Sequence, residues 1–154
     1  MELRPLDKRH REWLRSTCPL RPCWQWLSRF YCAAHGRNAV LVLEHPHRRR
    51  CFGLVACSTS RAGDECAIRY VTTPPGRRRR GYAAATIRAL LRRLRGTSVK
   101  RATALVPEDN VPMQLLLKKL KFTAEPKTIT GEHNALGTGG PCYRFTRALA
   151  RENP

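Results

Sequence analysis

Acidic residues are scarce in this chain. Its 154 residues include 30 lysines and arginines but only 11 aspartates and glutamates, a formal net charge of +19. A field of that sign attracts polyanions, phosphorylated ligands and acidic proteins, and it repels polycations. Lysine is scarce too. There are six (8, 100, 118, 119, 121 and 127), so arginine supplies the other 24 basic residues. Alanine and proline are also abundant, so compositional bias explains the arginine excess as well as functional charge does. Long apolar runs are absent, and none approaches the roughly 20 residues that cross a bilayer. The opening Met1-Glu2-Leu3-Arg4-Pro5 lacks an apolar segment of signal-peptide type. The expectation is a soluble protein of the cytoplasm, with the nucleus also open and no membrane partner.

Paired cysteine motifs are missing as well. Seven cysteines (18, 23, 32, 51, 57, 66 and 142) are irregularly spaced with no Cys-x-x-Cys, which argues against a disulfide framework. Cys51 with His45 and His47 is the nearest approach to a metal set. Those histidines flank Pro46 in a turn and the zinc spacing is not met, so no metal is expected. The chain has neither an internal repeat nor a dividing linker. By length, residues 1–150 make one domain and 151–154 a frayed tail.

What is present centres on Val71-Thr72-Thr73-Pro74-Pro75-Gly76-Arg77-Arg78-Arg79-Arg80-Gly81-Tyr82-Ala83. Residues 66–72 read as a strand, rich in extended-backbone formers, and the two prolines end it because they lack amide donors. After Gly81, the spacing of Ala83, Ile87, Leu90, Leu91 and Leu94 predicts a helix to residue 95 with arginines on its other side. A helix start carries backbone N–H groups with no partner inside the helix, and the dipole favours negative charge there. Gly81 has no Cβ to hold an anion away, and four arginines precede it. A pyrophosphate fits such a place best. The plain alternative is a helix start beside a solvated basic run. A Walker A loop is excluded because Tyr82-Ala83 follows Gly81 where Lys-Ser/Thr is needed, and Gly76 and Gly81 are too far apart for Gly-x-Gly-x-x-Gly.

Around this centre the pattern predicts a strand over 2–6, a helix capped by Asp7 to about residue 18, and a second helix over 23–34. A meander of strands follows over 39–43, 51–58 and 65–72. Beyond the central helix come a strand over 99–106 parallel to the one ending at Thr72, a helix from 111 to 119 capped by Asn110, an extended 122–130, a glycine-rich loop over 131–141 and a last strand holding Tyr143 and Phe145.

That element order resembles the GNAT acetyltransferase superfamily along nearly the whole chain. The family signature Gln/Arg-x-x-Gly-x-Gly/Ala is matched by Arg78-Arg79-Arg80-Gly81-Tyr82-Ala83. Val71-Thr72-Thr73-Pro74-Pro75 looks like the Thr-x-Pro lead-in of one subgroup. A second pattern, Asn-x-x-Ala-x-x-Leu-Tyr-x-Lys-x-Gly-Phe, is met in register by Asn110, Leu116, Lys119 and Phe122. The resemblance implies an α/β (α+β) fold: a mixed, mostly antiparallel sheet of six to seven strands with a splayed parallel pair and flanking helices. It implies acetyl-CoA as co-substrate, its pyrophosphate on the amides of Arg79, Arg80, Gly81, Tyr82 and Ala83 with Arg78 at the loop's mouth. The pantetheine arm would pair with Val71, Thr72 and Thr73, and Asn110 would lie near it.

The activity so implied is transfer of an acetyl group to an amine acceptor by direct attack in a ternary complex. Three departures bear on it. Leu117 stands where the family tyrosine protonates the departing thiolate, Met113 replaces a small residue, and Lys121 replaces the glycine before Phe122. Glu65 is the nearest candidate for the general base, and Tyr70 and Tyr143 are candidate acids. The alternative is a weak or inactive acyl-CoA-binding module of the same fold, with non-specific affinity for nucleic acid through its arginine clusters. The positive field favours an acidic or neutral acceptor over a polycation. Monomer and homodimer both remain open.

Overall fold

The computed structural model describes residues 1–18, 27, 36–48, 50–130 and 140–149, with the backbone alone for 127–130. The helix expected over 23–34 lies outside the described residues except for Leu27, which is helical and buried. Of the loop expected over 131–141, residues 131–139 lie outside them while Pro141 already begins the last strand, and the tail over 151–154 lies outside them too.

Seven strands form one sheet: β1 (Glu2–Pro5), β2 (Asn38–Glu44), β3 (Cys51–Thr59), β4 (Glu65–Thr72), β5 (Arg101–Pro107), β6 (Thr123–Thr130) and β7 (Pro141–Ala148). Their order is β1-β2-β3-β4-β5-β7-β6. Every neighbouring pair is antiparallel except β4 and β5, which run parallel. Helix α1 (Arg11–Thr17) follows a short 3-10 turn, Lys8–His10. Helix α2 (Tyr82–Arg95) connects β4 to β5, and α3 (Val111–Lys119) connects β5 to β6.

The apolar run in β2 is continuous because the strand is covered on both faces. Leu41 and Leu43 join the larger core with Val55, Ile68, Ile87, Leu90 and Phe145. Val40 and Val42 join a smaller one with Leu14, Leu27, Leu54 and Ala56. Helix α2 buries Ile87, Leu90, Leu91 and Leu94 in the larger core and leaves Arg88, Arg92, Arg93 and Arg95 exposed, the division its spacing predicts. Its first turn lies close on β3. A Cβ on Gly53 would come within 2.3 Å of Thr86 Oγ1, and that hydroxyl already donates to Tyr82 O at 2.8 Å. Gly53 therefore sets how near the start of α2 sits to the sheet.

Helix α3 ends in a turn that glycine serves best. Phe122 N–H donates to Leu117 O at 3.0 Å across Lys121, whose φ is +63°. This is the left-handed helix stop, and a side chain there costs about 1–2 kcal/mol. Lys121→Gly should raise stability by about 0.5–1 kcal/mol once the added freedom of glycine in the unfolded chain is subtracted. Urea denaturation should show the midpoint rising at unchanged slope.

Candidate functional site

Strand β4 has three features at one point. It pairs with β5 only from Glu65↔Arg101 to Ile68↔Ala104. Its register against β3 slips between Ile68, opposite Cys57, and Tyr70, opposite Ala56, so Arg69 is the extra residue of a β-bulge. A bulge bends and twists the strand that carries it. Beyond it the two parallel strands separate, while β5 continues to Pro107 paired with β7. The bulge also changes which side chains face which way. Ile68 and Val71 both join the larger core, and Tyr70 turns to the α1 face beside the smaller one.

The separation leaves a cleft of about 570 Å³. Val71, Ile87, Val106, Met113 and Leu117 give it apolar walls, and Asp109 and Asn110 are polar members of its lining. On the β5 side, residues 69–72 of β4 have no strand partner among the described residues. Their main-chain groups form an unused edge of the kind that an extended amide chain can join.

The basic loop follows at once. After Thr72 come Thr73, Pro74 and the 3-10 turn Pro75–Arg77. Arg79 has φ +60° and Gly81 φ +78°, two left-handed residues separated by one. That alternation curls successive amides into a concave shape suited to an anion. Gly81 is the N-cap of α2, and no side chain caps the helix there. The first-turn bond runs from Ala85 N–H to Gly81 O at 2.9 Å, and among the described residues no protein acceptor is recorded for the amides of 79–84. A Cβ on Gly81 would meet nothing within 4 Å, so the space before these amides is open. Arg78, Arg79 and Arg80 are exposed, and no ion pair among the described residues involves them. The loop rests on Phe52. The Tyr82 ring lies 4.8 Å from it, and the Arg77 guanidinium sits 4.8 Å over its face. The sequence offered no signal for Phe52, because the contact joins β3 to a loop some 25 residues later.

The candidate residues fall into two groups. Val71 and Asn110 line the cleft, Thr72 and Thr73 continue the unpaired edge, and 78–83 form the loop into α2, whose Ile87 is a cleft wall. Asn110 also caps α3 by accepting from Met113 N–H at 3.3 Å. Of the three candidate catalytic residues, only Tyr70 lines the cleft, its hydroxyl 3.8 Å from Cys18 Sγ. Glu65 lies where β4 and β5 are still joined, about 10 Å along the strand from their divergence at Ile68. Its carboxylate accepts from Arg101 Nε at 2.6 Å and Thr103 Oγ1 at 3.2 Å, and the carboxylate beside Arg101 raises that guanidinium's pKa. Tyr143 is half-buried against the larger core, opposite Val106, and is not part of the cleft lining. Leu117 is buried and apolar, a wall with no proton to give. No helix among the described residues is long and apolar enough to cross a membrane.

Solved structures share this architecture at low identity. A spermidine N-acetyltransferase of Vibrio cholerae, solved with CoA and spermine, superposes with a TM-score of 0.73 at 14% identity, covering 96% of this chain and 94% of that one. A ribosomal L7/L12 alpha-N-protein acetyltransferase in complex with coenzyme A gives 0.75 at 13% identity, with 96% and 93% covered. A putative phosphinothricin N-acetyltransferase gives 0.70 at 16%, with 97% and 98% covered. No curated protein matches the chain. The family model described as "Acetyltransferase (GNAT) domain" matches residues 4–123, from β1 to the first residue of β6, and the chain belongs to that family.

Proposed function

We propose that the protein transfers an acetyl group from acetyl-CoA to an amine in a ternary complex. The observation that carries this reading is a parted β4/β5 pair whose outer edge leads into a helix start whose amides and three arginines have no protein partner among the described residues. The amides of 79–83 would take the pyrophosphate, with Arg78 beside them. Val71, Thr72 and Thr73 would pair with the pantetheine arm as a strand pairs with its neighbour. Asn110 would border that arm, and the apolar walls at Met113 and Leu117 would keep water from it.

Acetyl-CoA supplies an activated acyl group. The amine nitrogen bonds to the acyl carbon, the carbon–sulfur bond breaks, the amine loses a proton, and the sulfur gains one. Positioning alone contributes several kcal/mol to such a step. Tyr70 is the candidate acid beside the cleft. Glu65 and Tyr143 have no part in this scheme, since Glu65 is held by Arg101 and Tyr143 packs against the larger core away from the cleft lining.

Leu117 supports a second reading, a module that binds acyl-CoA but turns it over poorly, because the wall nearest the expected thiolate position is apolar.

The acceptor is proposed to be an acidic or neutral amine, such as a protein or peptide α-amine beside acidic residues, because a surface of net charge +19 repels polyamines. Similarity to the spermidine enzyme at 14% identity extends to the fold alone. Labelled acetyl-CoA should transfer acetyl to an acidic peptide at least tenfold faster than to spermine at low salt, with the difference shrinking as salt rises. Binding without transfer to any amine would favour the second reading, and a preference for spermine would overturn the assignment of acceptor.

A further inference from the structure

A second cavity, of about 470 Å³, borders the basic loop at Pro74 and Arg77. It is lined by α1 and its leading turn (Arg9, His10, Trp13), by Glu44 and Cys51 where β2 and β3 meet, and by Arg77. Here β3 carries another bulge. Leu43 pairs with Gly53 and Glu44 with Cys51, so Phe52 is the extra residue. The bulge that sends Phe52 toward Tyr82 thus also places Cys51 opposite Glu44. Among the described residues, His10, Glu44 and Cys51 offer one ligand atom each, all within 4.8 Å of one another.

We propose that His10 Nε2, Glu44 Oε2 and Cys51 Sγ bind a zinc ion, with the fourth position open to this cavity. The assignment is independent of the acetyl-transfer reading and goes against the expectation of no metal from sequence spacing. His10 Nε2 and Glu44 Oε2 are 3.2 Å apart. Two N/O ligands on one tetrahedral zinc, each about 2.0–2.1 Å from the metal, stand about 3.3 Å apart. The sulfur must close by up to about 1.3 Å, since the three atoms lie within 4.8 Å of one another and a tetrahedral N–Zn–S pair spans about 3.5 Å. Cys51 is half-buried on the cavity wall, so its side chain has room to turn.

The supporting contacts suit that arrangement. Arg4 Nε holds the other carboxylate oxygen, Glu44 Oε1, at 3.2 Å, which leaves Oε2 as a single-oxygen ligand. His10 Nδ1 lies 3.0 Å from the Asp7 amide and 3.1 Å from Asp7 Oδ1. Without metal it accepts from the amide while Nε2–H points to Glu44. With metal, the ring proton moves to Nδ1 and is donated to Asp7 Oδ1, the carboxylate–histidine arrangement that orients a metal-bound imidazole, and the Asp7 amide gives up its bond to the ring and turns away. Zinc displaces the Cys51 thiol proton to solvent. The thiolate and the Glu44 carboxylate then cancel the ion's two charges. Of the cations nearby, Arg9 is paired with Asp7 and Arg4 with Glu2 and Glu44, Arg77 lies over the Phe52 ring, and Arg50 is a further member of the lining whose charge the site must tolerate.

The ligands come from three separate segments, so no short motif announces them. The test uses the full chain, reduced and stripped of metal, titrated first with Zn²⁺ against a chromogenic chelator and then with Co²⁺. One equivalent should bind at micromolar or lower concentration. Co²⁺ should give a thiolate-to-metal charge-transfer band and the visible bands of a tetrahedral ion. Cys51→Ser should abolish the charge-transfer band, and Asp7→Asn should weaken zinc binding about 10–100-fold. If zinc does not bind at 100-fold molar excess, the proposal fails. It fails equally if Cys51→Ser and His10→Gln, each still folded by thermal melt, bind as tightly as the parent, for then one of the other six cysteines holds the ion.

Discussion

Gly81→Glu should lower acetyl-CoA affinity at least 100-fold while leaving the protein folded. Three costs act at one residue. The backbone is at φ +78°, where a side chain costs about 1–2 kcal/mol, so the unliganded loop relaxes toward negative φ and binding must restore the left-handed turn. A carboxylate at the N-cap of α2 occupies the field that would favour the pyrophosphate, worth about 0.3–2 kcal/mol. It also stands in the space in front of the amides of 79–84 and would repel the ligand directly. Hundred-fold corresponds to about 2.8 kcal/mol, which these effects reach together. The fold should survive because a Cβ at Gly81 meets nothing within 4 Å. Gly81→Ala separates the contributions. It carries the backbone strain without the charge and should weaken binding less than tenfold. Isothermal titration of both variants, with thermal melts as the check on folding, decides the matter. An unchanged affinity in Gly81→Glu would put the phosphate site elsewhere on the chain.

Much of this architecture was legible because its signals are local. Pro74 and Pro75 end β4, Gly81 takes the left-handed cap, and Ile87, Leu90, Leu91 and Leu94 declare one face of α2. Asp7 and Asn110 cap the segments they precede, accepting from Arg9 N–H and Met113 N–H. The parallel run of β4 beside β5 followed from the helix between them. The features that escaped depend on pairing across the sheet. Plain alternation puts Tyr70 on the face of Ile68, but the bulge at Arg69 gives that place to Val71. Glu65 precedes the basic loop at a plausible distance in sequence. Its neighbour Arg101 belongs to β5, 36 residues later, and the ion pair is visible only once the strands are aligned. The bulge at Phe52 likewise has no mark in composition or period, yet it supplies the ring under Tyr82 and places Cys51 opposite Glu44.

Leu117→Tyr should raise the rate of acetyl transfer about 10–100-fold. A positioned acid contributes about 10²–10⁴ when proton delivery to the leaving group limits the step, and a tyrosine added to a site not shaped around it should reach at most the bottom of that range. Leu117 is buried, belongs to the larger core and forms a wall of the cleft, so a ring grafted there extends toward the space assigned to the thioester. Met113 is flexible enough to yield to the larger side chain, at a stability cost of about 1–3 kcal/mol for overpacking. The gain should appear in kcat with KM for acetyl-CoA little changed, because the phenol acts on the sulfur as it departs and not on the bound ground state. Leu117→Phe controls for the added ring and should give the stability cost without the rate. If the tyrosine and phenylalanine variants turn over alike, protonation of the thiolate is not what limits this protein. Water or Tyr70 then already meets that need, and the search for the slow step moves to the acceptor and the base that deprotonates it.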